Sequence, residues 1–243
     1  MIDLIGVRGL PEIQPGDDVG RLIVARMPDI RTGDVVVVAQ KVVSKAEGRL
    51  VRLNGVDPSE TALALARRLH GDARFVQVVL DESVRVVRDE RVLITETRAG
   101  YVCANGGVDR SNAPEGMVTL LPADCDASAA AIRESISRAG RVDVAVVVSD
   151  TFGRPWRVGV TNVALGVAGM PAVRDLRGTD DGGGRLLQST VIALADEVAC
   201  AAGLVMGKTE RVPAVVVRGV QTGGGTDGVG RDLLRPAELD LFR

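Results

Sequence analysis

The chain has 243 residues, 26% charged and 46% hydrophobic, long enough to bury roughly 70 to 75% of its unfolded surface. Thirty Lys and Arg against 32 Asp and Glu leave a net charge of -2, too balanced for a nucleic-acid or anionic-membrane surface, so small-molecule ligands are expected. A single histidine, His70, excludes any mechanism that needs two, and five aromatics (Phe75, Tyr101, Phe152, Trp156 and Phe242) exclude a base-stacking surface.

In chain order, the first eighteen residues, MIDLIGVRGLPEIQPGDD, lack a basic start followed by an apolar run, and no later stretch approaches the length of a membrane span. A soluble chain without a standard export signal is expected, with no membrane partner. Acidic capping residues open a predicted helix over 17–27, followed by a valine-rich strand at 34–39 (DVVVVA). A helix over 59–70 follows Pro58. Strands are predicted at 75–80, 84–87 and 92–95, then a helix over 126–139 with Asp126 as N-cap. A strand at 142–149 (VDVAVVVS), an alanine-rich helix over 191–202 and a strand at 213–217 complete the pattern. Alternating helices and strands predict an α/β protein, and consecutive apolar positions such as VVVV predict strands covered on both faces. No repeat and no low-complexity linker divides the chain, so residues 1–243 read as one domain. The glycine clusters at 106–107, 182–184 and 223–225 fall between periodic segments and read as loops; the last two are either lids or plain surface turns. Cys103, Cys125 and Cys200 are odd in number and lack C-x-x-C spacing, which argues against a disulfide framework or zinc site and for a reduced, cytoplasmic setting.

Two strands run into polar loops with a carboxylate at the mouth. YVCANGGVDRSN carries Asp109 and Asn112, and VDVAVVVSDTFGRPWR carries Asp150 and Thr151. Ligands gather at the carboxyl ends of strands in α/β sheets, and an aspartate followed by a hydroxyl supplies hard oxygen ligands for Mg²⁺ or Mn²⁺. Taken singly, each aspartate also reads as a cap of a turn or helix. In TFGRPWR, Phe152 and Trp156 read as core packing or as a loop wall, and Arg154 and Arg157 could clamp an anionic group. Lys41, Lys45 and Lys208 are the only lysines among the 30 basic residues, so each marks a place that wants a compact point charge. All three are expected in loops, Lys41 and Lys45 in AQKVVSKAEGR and Lys208 in GLVMGKTERVP. The latter is not a Walker loop, because GxxxxGK[ST] needs glycine where Ala202 stands. No G-x-S-x-G, H-E-x-x-H or G-x-G-x-x-G is present, and His70 reads as a helix C-terminal or solvated residue.

Taken in order, GLPEIQPGDD, AQKVVSKAEGR, GGVDRSN, VVVSDTFGRPWR, ADEVA and GLVMGKTERVPAVVVRGV resemble the coenzyme F420-0:L-glutamate ligase (F420 γ-glutamyl ligase) family in its stand-alone form. The resemblance implies an α+β fold of two intimately joined subdomains and an intertwined homodimer, so doubly wound topology is not expected. It also implies GTP-dependent addition of L-glutamate to F420-0 through an acyl phosphate, with Mg²⁺ or Mn²⁺ (two ions) and K⁺. By motif it implies that Asp109, Asp150 and Thr151 are metal ligands. It implies nucleotide contacts from Leu10, Pro11, Glu12, Ile13, Gln40, Lys45, Asn112, Met206, Gly207, Lys208 and Thr209, and substrate contacts from Arg154 and Arg157. The chain departs from relatives in three places. Gln40 stands where some have serine, Gly183 where they often carry an aromatic, and Lys208 where archaeal members place a metal-binding glutamine. A protonated ammonium cannot ligate a metal, so Lys208 is expected to meet phosphate directly. The alternatives are an amide ligase with another acceptor or amino acid, and a non-catalytic nucleotide-binding protein.

Overall fold

Residues 35–38 are buried to the last side chain, which places this valine run at the centre of the molecule between two covered faces. The computed structural model describes residues 1–222 and 228–240; the glycine cluster at 223–225 and Phe242 lie outside them. In order the elements are β1 (Asp3–Val7), α1 (Val19–Arg26), β2 (Val35–Ala39), α2 (Gln40–Ala46), β3 (Leu50–Arg52), α3 (Glu60–Leu69) and α4 (Ala73–Asp81). Then follow β4 (Ser83–Glu90), β5 (Val92–Thr97), β6 (Val102–Ala104), β7 (Met117–Thr119), α5 (Cys125–Gly140), β8 (Ala145–Arg154) and β9 (Arg157–Ala168). Last come β10 (Arg174–Asp175), β11 (Val191–Ile192), α6 (Leu194–Met206) and β12 (Ala214–Arg218).

The central sheet is five-stranded in the order β1-β12-β2-β8-β9. Only β2 and β8 run parallel; the other pairings are antiparallel. On one face Val36, Val38, Val146 and Val148 pack with Ile23 of α1 and Ile132 and Ile136 of α5. On the other, Val35, Val37, Val147 and Val215 pack with Val198, Ala199 and Ala202 of α6. Beside this sheet, α3 and α4 share a smaller core, including Leu65, Val76 and Val79, with Leu93 of β5 and Val118 of β7. That region adds an antiparallel sheet, β4-β5-β6, and the pair β3-β7. The fold is therefore α+β with a mixed sheet, as the resemblance implied. No described helix is long and apolar enough to cross a membrane.

Several predicted elements need correction. Residues 75–80 form a helix, not a strand: Asp72 caps it by accepting from Arg74 N at 3.0 Å. Val76 and Val79, one turn apart, pack into the α3 core, and that buried face outweighs the small strand preference of valine. The N-cap of α5 is Asp124 rather than Asp126; its Oδ1 accepts from Asp126 N and Ala127 N at 3.0 Å each. Asp126 instead reaches across to accept from Val167 N and Gly230 N. The last helix begins at Leu194, because Val191 and Ile192 pair with β10. Residues 40–46, expected as a loop, form α2, with Val42 and Val43 turned into the core. Nor do residues 150–154 form a loop, since β8 continues through them into a long ribbon with β9. His70 is the left-handed C-cap of α3 (φ 52°).

Candidate functional site

The parallel pairing of β2 with β8 stops at Ala39 opposite Ser149, where β2 turns into α2 and β8 runs on beside β9, so the residues that follow, Gln40 and Asp150, lie at one edge of that pairing. Two cavities open there. The larger, about 1190 Å³, lies between the β8–β9 ribbon and the β4-β5-β6 sheet and is lined by Asp109, Asp150, Thr151, Phe152, Arg154 and Trp156, with Val87, Arg88 and Val102 opposite. The smaller, about 640 Å³, lies over the start of α2. Its walls include Leu10, Pro11, Glu12, Ile13, Gln40, Lys45, Asn112, Met206, Gly207 and Lys208. Segments almost 200 positions apart meet because β1 and β2 flank β12 in the sheet. Thr209 and Arg157, also expected in the site, line neither cavity.

Asp109 is held by a bridge of its own backbone to Thr119, N to O at 3.0 Å and O from N at 2.8 Å. Its Oδ1 accepts from Ser111 N at 2.7 Å, and its Oδ2 from Ser111 Oγ at 2.8 Å and Lys41 Nζ at 2.6 Å. Burial pushes this carboxyl up, but the Lys41 ammonium and the Ser111 donors outweigh it and hold the group below the usual aspartate value. Asp150 goes the other way. Burial raises it more than the Thr151 amide and the ammoniums of Lys41 and Lys208 lower it, and the neighbouring Asp109 raises it further. Thr151 donates to Asn162 Oδ1 at 3.1 Å and accepts from Lys208 Nζ at 2.6 Å. Lys45, on the next turn of α2, pairs with Glu12 at 2.5 Å.

Two polar groups at the floor of the smaller cavity are buried without a hydrogen-bond partner, Gln40 Nε2 and Ser149 Oγ. The Oε1 of Gln40 accepts from Ser44 Oγ at 2.9 Å, which fixes its Nε2 as a spare donor. Orphaned donors in a cavity suit a ligand with acceptor oxygens. Cys103 lines the larger cavity, but burial and the charge of Asp150 push its thiol up to about 12, so it is held as a thiol and not as a nucleophile.

The donor set fits a hard divalent cation in part. Two carboxylates and a hydroxyl line the same cavity, and among the described residues no group of three or more His, Cys, Asp or Glu comes together as a metal site. The rest of a coordination shell would come from ligand oxygens and water. Sequence reasoning missed Ser149 and Asn162, and it marked Lys41 as a point charge without placing it against Asp109. Asn162 is the cross-strand partner of Thr151, a signal available only once the hairpin of β8 and β9 is recognised.

The sequence signature described as F420-0:Gamma-glutamyl ligase matches residues 7–219. A protein of Methanothermobacter thermautotrophicus (strain Delta H) named coenzyme F420:L-glutamate ligase is 45% identical over 249 residues, 100% of this chain and 99% of the relative. Proteins of the same name in Methanocaldococcus jannaschii and Halorubrum lacusprofundi are 40% and 48% identical, covering 100% and 89% of this chain and 97% and 87% of their own lengths. With the signature spanning both cavities and relatives aligned nearly end to end, the chain belongs to the F420-0:gamma-glutamyl ligase family.

Proposed function

We propose that this chain joins L-glutamate to coenzyme F420-0 by an amide bond, with GTP as phosphoryl donor, and lengthens the tail by further γ-linked glutamates. The observation that carries the reading is the meeting of the two cavities at Asp150 and Thr151, in a chain whose relatives are named coenzyme F420:L-glutamate ligase. The smaller cavity takes the nucleotide and the larger takes the acceptor. Leu10 to Ile13, Gln40, Lys45, Asn112 and Met206 to Lys208 surround the nucleotide, the orphaned Gln40 amide supplying a donor to its acceptor oxygens.

The acceptor carboxylate attacks the γ-phosphorus, and the bond to the bridging oxygen breaks with its electron pair leaving on GDP. The amino group of glutamate then attacks the acyl carbon, expels phosphate and loses a proton to solvent. Such transfers need positioning and charge neutralisation more than covalent help, which suits a chain with one histidine. Asp109, Asp150 and Thr151 would hold Mg²⁺ or Mn²⁺, whose bound charge neutralises phosphoryl oxygens. Walls of Val87, Val102, Phe152 and Trp156 give the acceptor an apolar bed that limits water. A second copy of the chain covers the exposed valines Val84, Val158 and Val160; light scattering after gel filtration should return a dimer mass, and a monomer would remove this part of the reading.

The test is incubation with F420-0, L-glutamate, GTP and Mn²⁺. Mass spectrometry should find the acceptor heavier by one or more glutamyl units, with GDP released in step. Neither product nor GDP would overturn the reading.

A further inference from the structure

Two cavities that each hold one substrate must meet where the reacting groups meet. Here the shared wall is four side chains, Lys41, Asp150, Thr151 and Lys208. Other cations are confined to one side: Arg88 and Arg154 line only the larger cavity, Lys45 and Arg211 only the smaller. Lys208 is tied to Thr151 by its 2.6 Å hydrogen bond. The first turn of α2 aims Lys41 at the junction, and its Nζ rests on Asp109 Oδ2 at 2.6 Å and Ser111 Oγ at 2.8 Å. Its side chain is 22% exposed, so the ammonium is partly screened from water.

On the reading that these cavities take GTP and a carboxylate acceptor, we infer that Lys41 is a catalytic residue of the phosphoryl step. Its ammonium sits between the acceptor carboxylate and the γ-phosphate. A carboxylate approaching a triphosphate meets strong repulsion between like charges, which a cation between them relieves in a site of low dielectric. The carboxylate oxygen forms the new bond to phosphorus, the bond to the bridging oxygen breaks toward GDP, and no proton moves, so Lys41 stays an ammonium throughout. Lysine suits the place better than arginine because a point charge on a flexible stem can pass from Asp109 to the transferring group. The chain uses arginine for all but three of its 30 basic residues, yet keeps lysine here.

The test compares wild type with Lys41→Met, which removes the charge, Lys41→Gln, a second neutral variant able to hydrogen-bond Asp109, and Lys41→Arg. Calorimetry reads binding of a non-hydrolysable GTP analogue, and hydroxylamine without glutamate traps the acyl phosphate as a hydroxamate. Both neutral variants should bind the analogue within about threefold of wild type while hydroxamate formation falls by about 10² to 10³-fold, with part recovered by Lys41→Arg. Hydroxamate formation within about threefold of wild type in either folded neutral variant would overturn the inference alone. So would a fall fully matched by lost analogue affinity, which would make Lys41 a nucleotide-holding residue. A wild-type chain that binds no GTP analogue and yields no hydroxamate would overturn the reading of the cavities, and the inference with it.

Discussion

Lys208 Nζ donates a 2.6 Å hydrogen bond to Thr151 Oγ1, so the loop leaving α6 is pinned to the ribbon of β8 and β9 at the carboxylate cluster. An ammonium there supplies positive charge but no lone pair. It competes for Thr151 with any metal and leaves Asp109 and Asp150 as the only charged oxygen donors among the expected metal ligands.

Lys208→Gln exchanges that charge for a carbonyl oxygen beside Thr151. In Mn²⁺ titrations followed by electron paramagnetic resonance with GDP present, this variant should bind more Mn²⁺ per chain than wild type. Lys208→Met should weaken GTP by about tenfold, the loss of roughly 1.4 kcal/mol of charge contact. Equal Mn²⁺ stoichiometry in wild type and Lys208→Gln would show that Lys208 does not occupy a cation's place.

Asp150→Asn should lower turnover by about 10³-fold, since an amide cannot supply an anionic ligand to a phosphoryl-transfer site. The fold should survive. Burial already disfavours the Asp150 charge, so a neutral side chain there relieves the folded state, and the variant's melting temperature without metal should be no lower than wild type. Scanning calorimetry with a GTP-dependent ligation assay separates the two effects. Near-normal turnover at limiting Mn²⁺ would remove Asp150 from the metal set.

Much of the candidate site was legible because the motifs themselves name the residue types that line the two cavities. Asp109, Asp150, Thr151 and Asn112 needed no knowledge of sheet order. The pairing of Lys41 with Asp109 was not legible, since it depends on α2 turning Lys41 back over the loop after β6. The helix at 40–46 was itself obscured by Val42 and Val43, whose strand preference is a few tenths of a kcal/mol and yields to burial. The same competition decided 75–80. The junction of the two cavities depends on β12 lying between β1 and β2, an antiparallel insertion that local pattern does not encode.

Acid should loosen the contact between α1 and α5. Asp18 caps α1 by accepting from Arg21 N at 3.0 Å, and it also accepts a short hydrogen bond from the Ser135 hydroxyl of α5. Burial raises this carboxyl, but Ser135, the Arg21 amide and the charges of Arg138 and Arg21 outweigh it, so its folded value lies below its unfolded one. A lowered folded value means the unfolded state binds the proton more tightly. The contribution is therefore present above an unfolded value of about 3.9 and is lost as pH falls through the folded value. Asp18→Asn keeps a capping oxygen without the titration, so its melting temperature should fall less steeply than wild type below about pH 5. Asp18→Ala should be less stable near neutrality by about 1 kcal/mol. Parallel slopes for wild type and Asp18→Asn would remove Asp18 as the acid-sensitive group.

Gly207 ends α6 at φ 55° and ψ -158°, a backbone region open almost only to glycine. A Cβ there would also lie 1.8 Å from Glu210 Oε2. Gly207→Ala should therefore cost about 1 to 3 kcal/mol of stability from the backbone alone. Because Lys208 follows directly, the relaxed chain should carry its ammonium away from Thr151 and weaken GTP by about tenfold. The two sources of strain separate in the double variant Gly207→Ala with Glu210→Ala. Removing the carboxylate relieves the collision but leaves the dihedral angle unfavourable, so the double variant should recover little of the lost stability or affinity. Full recovery on calorimetry would mean that the collision with Glu210, rather than the backbone angles of residue 207, sets the position of Lys208.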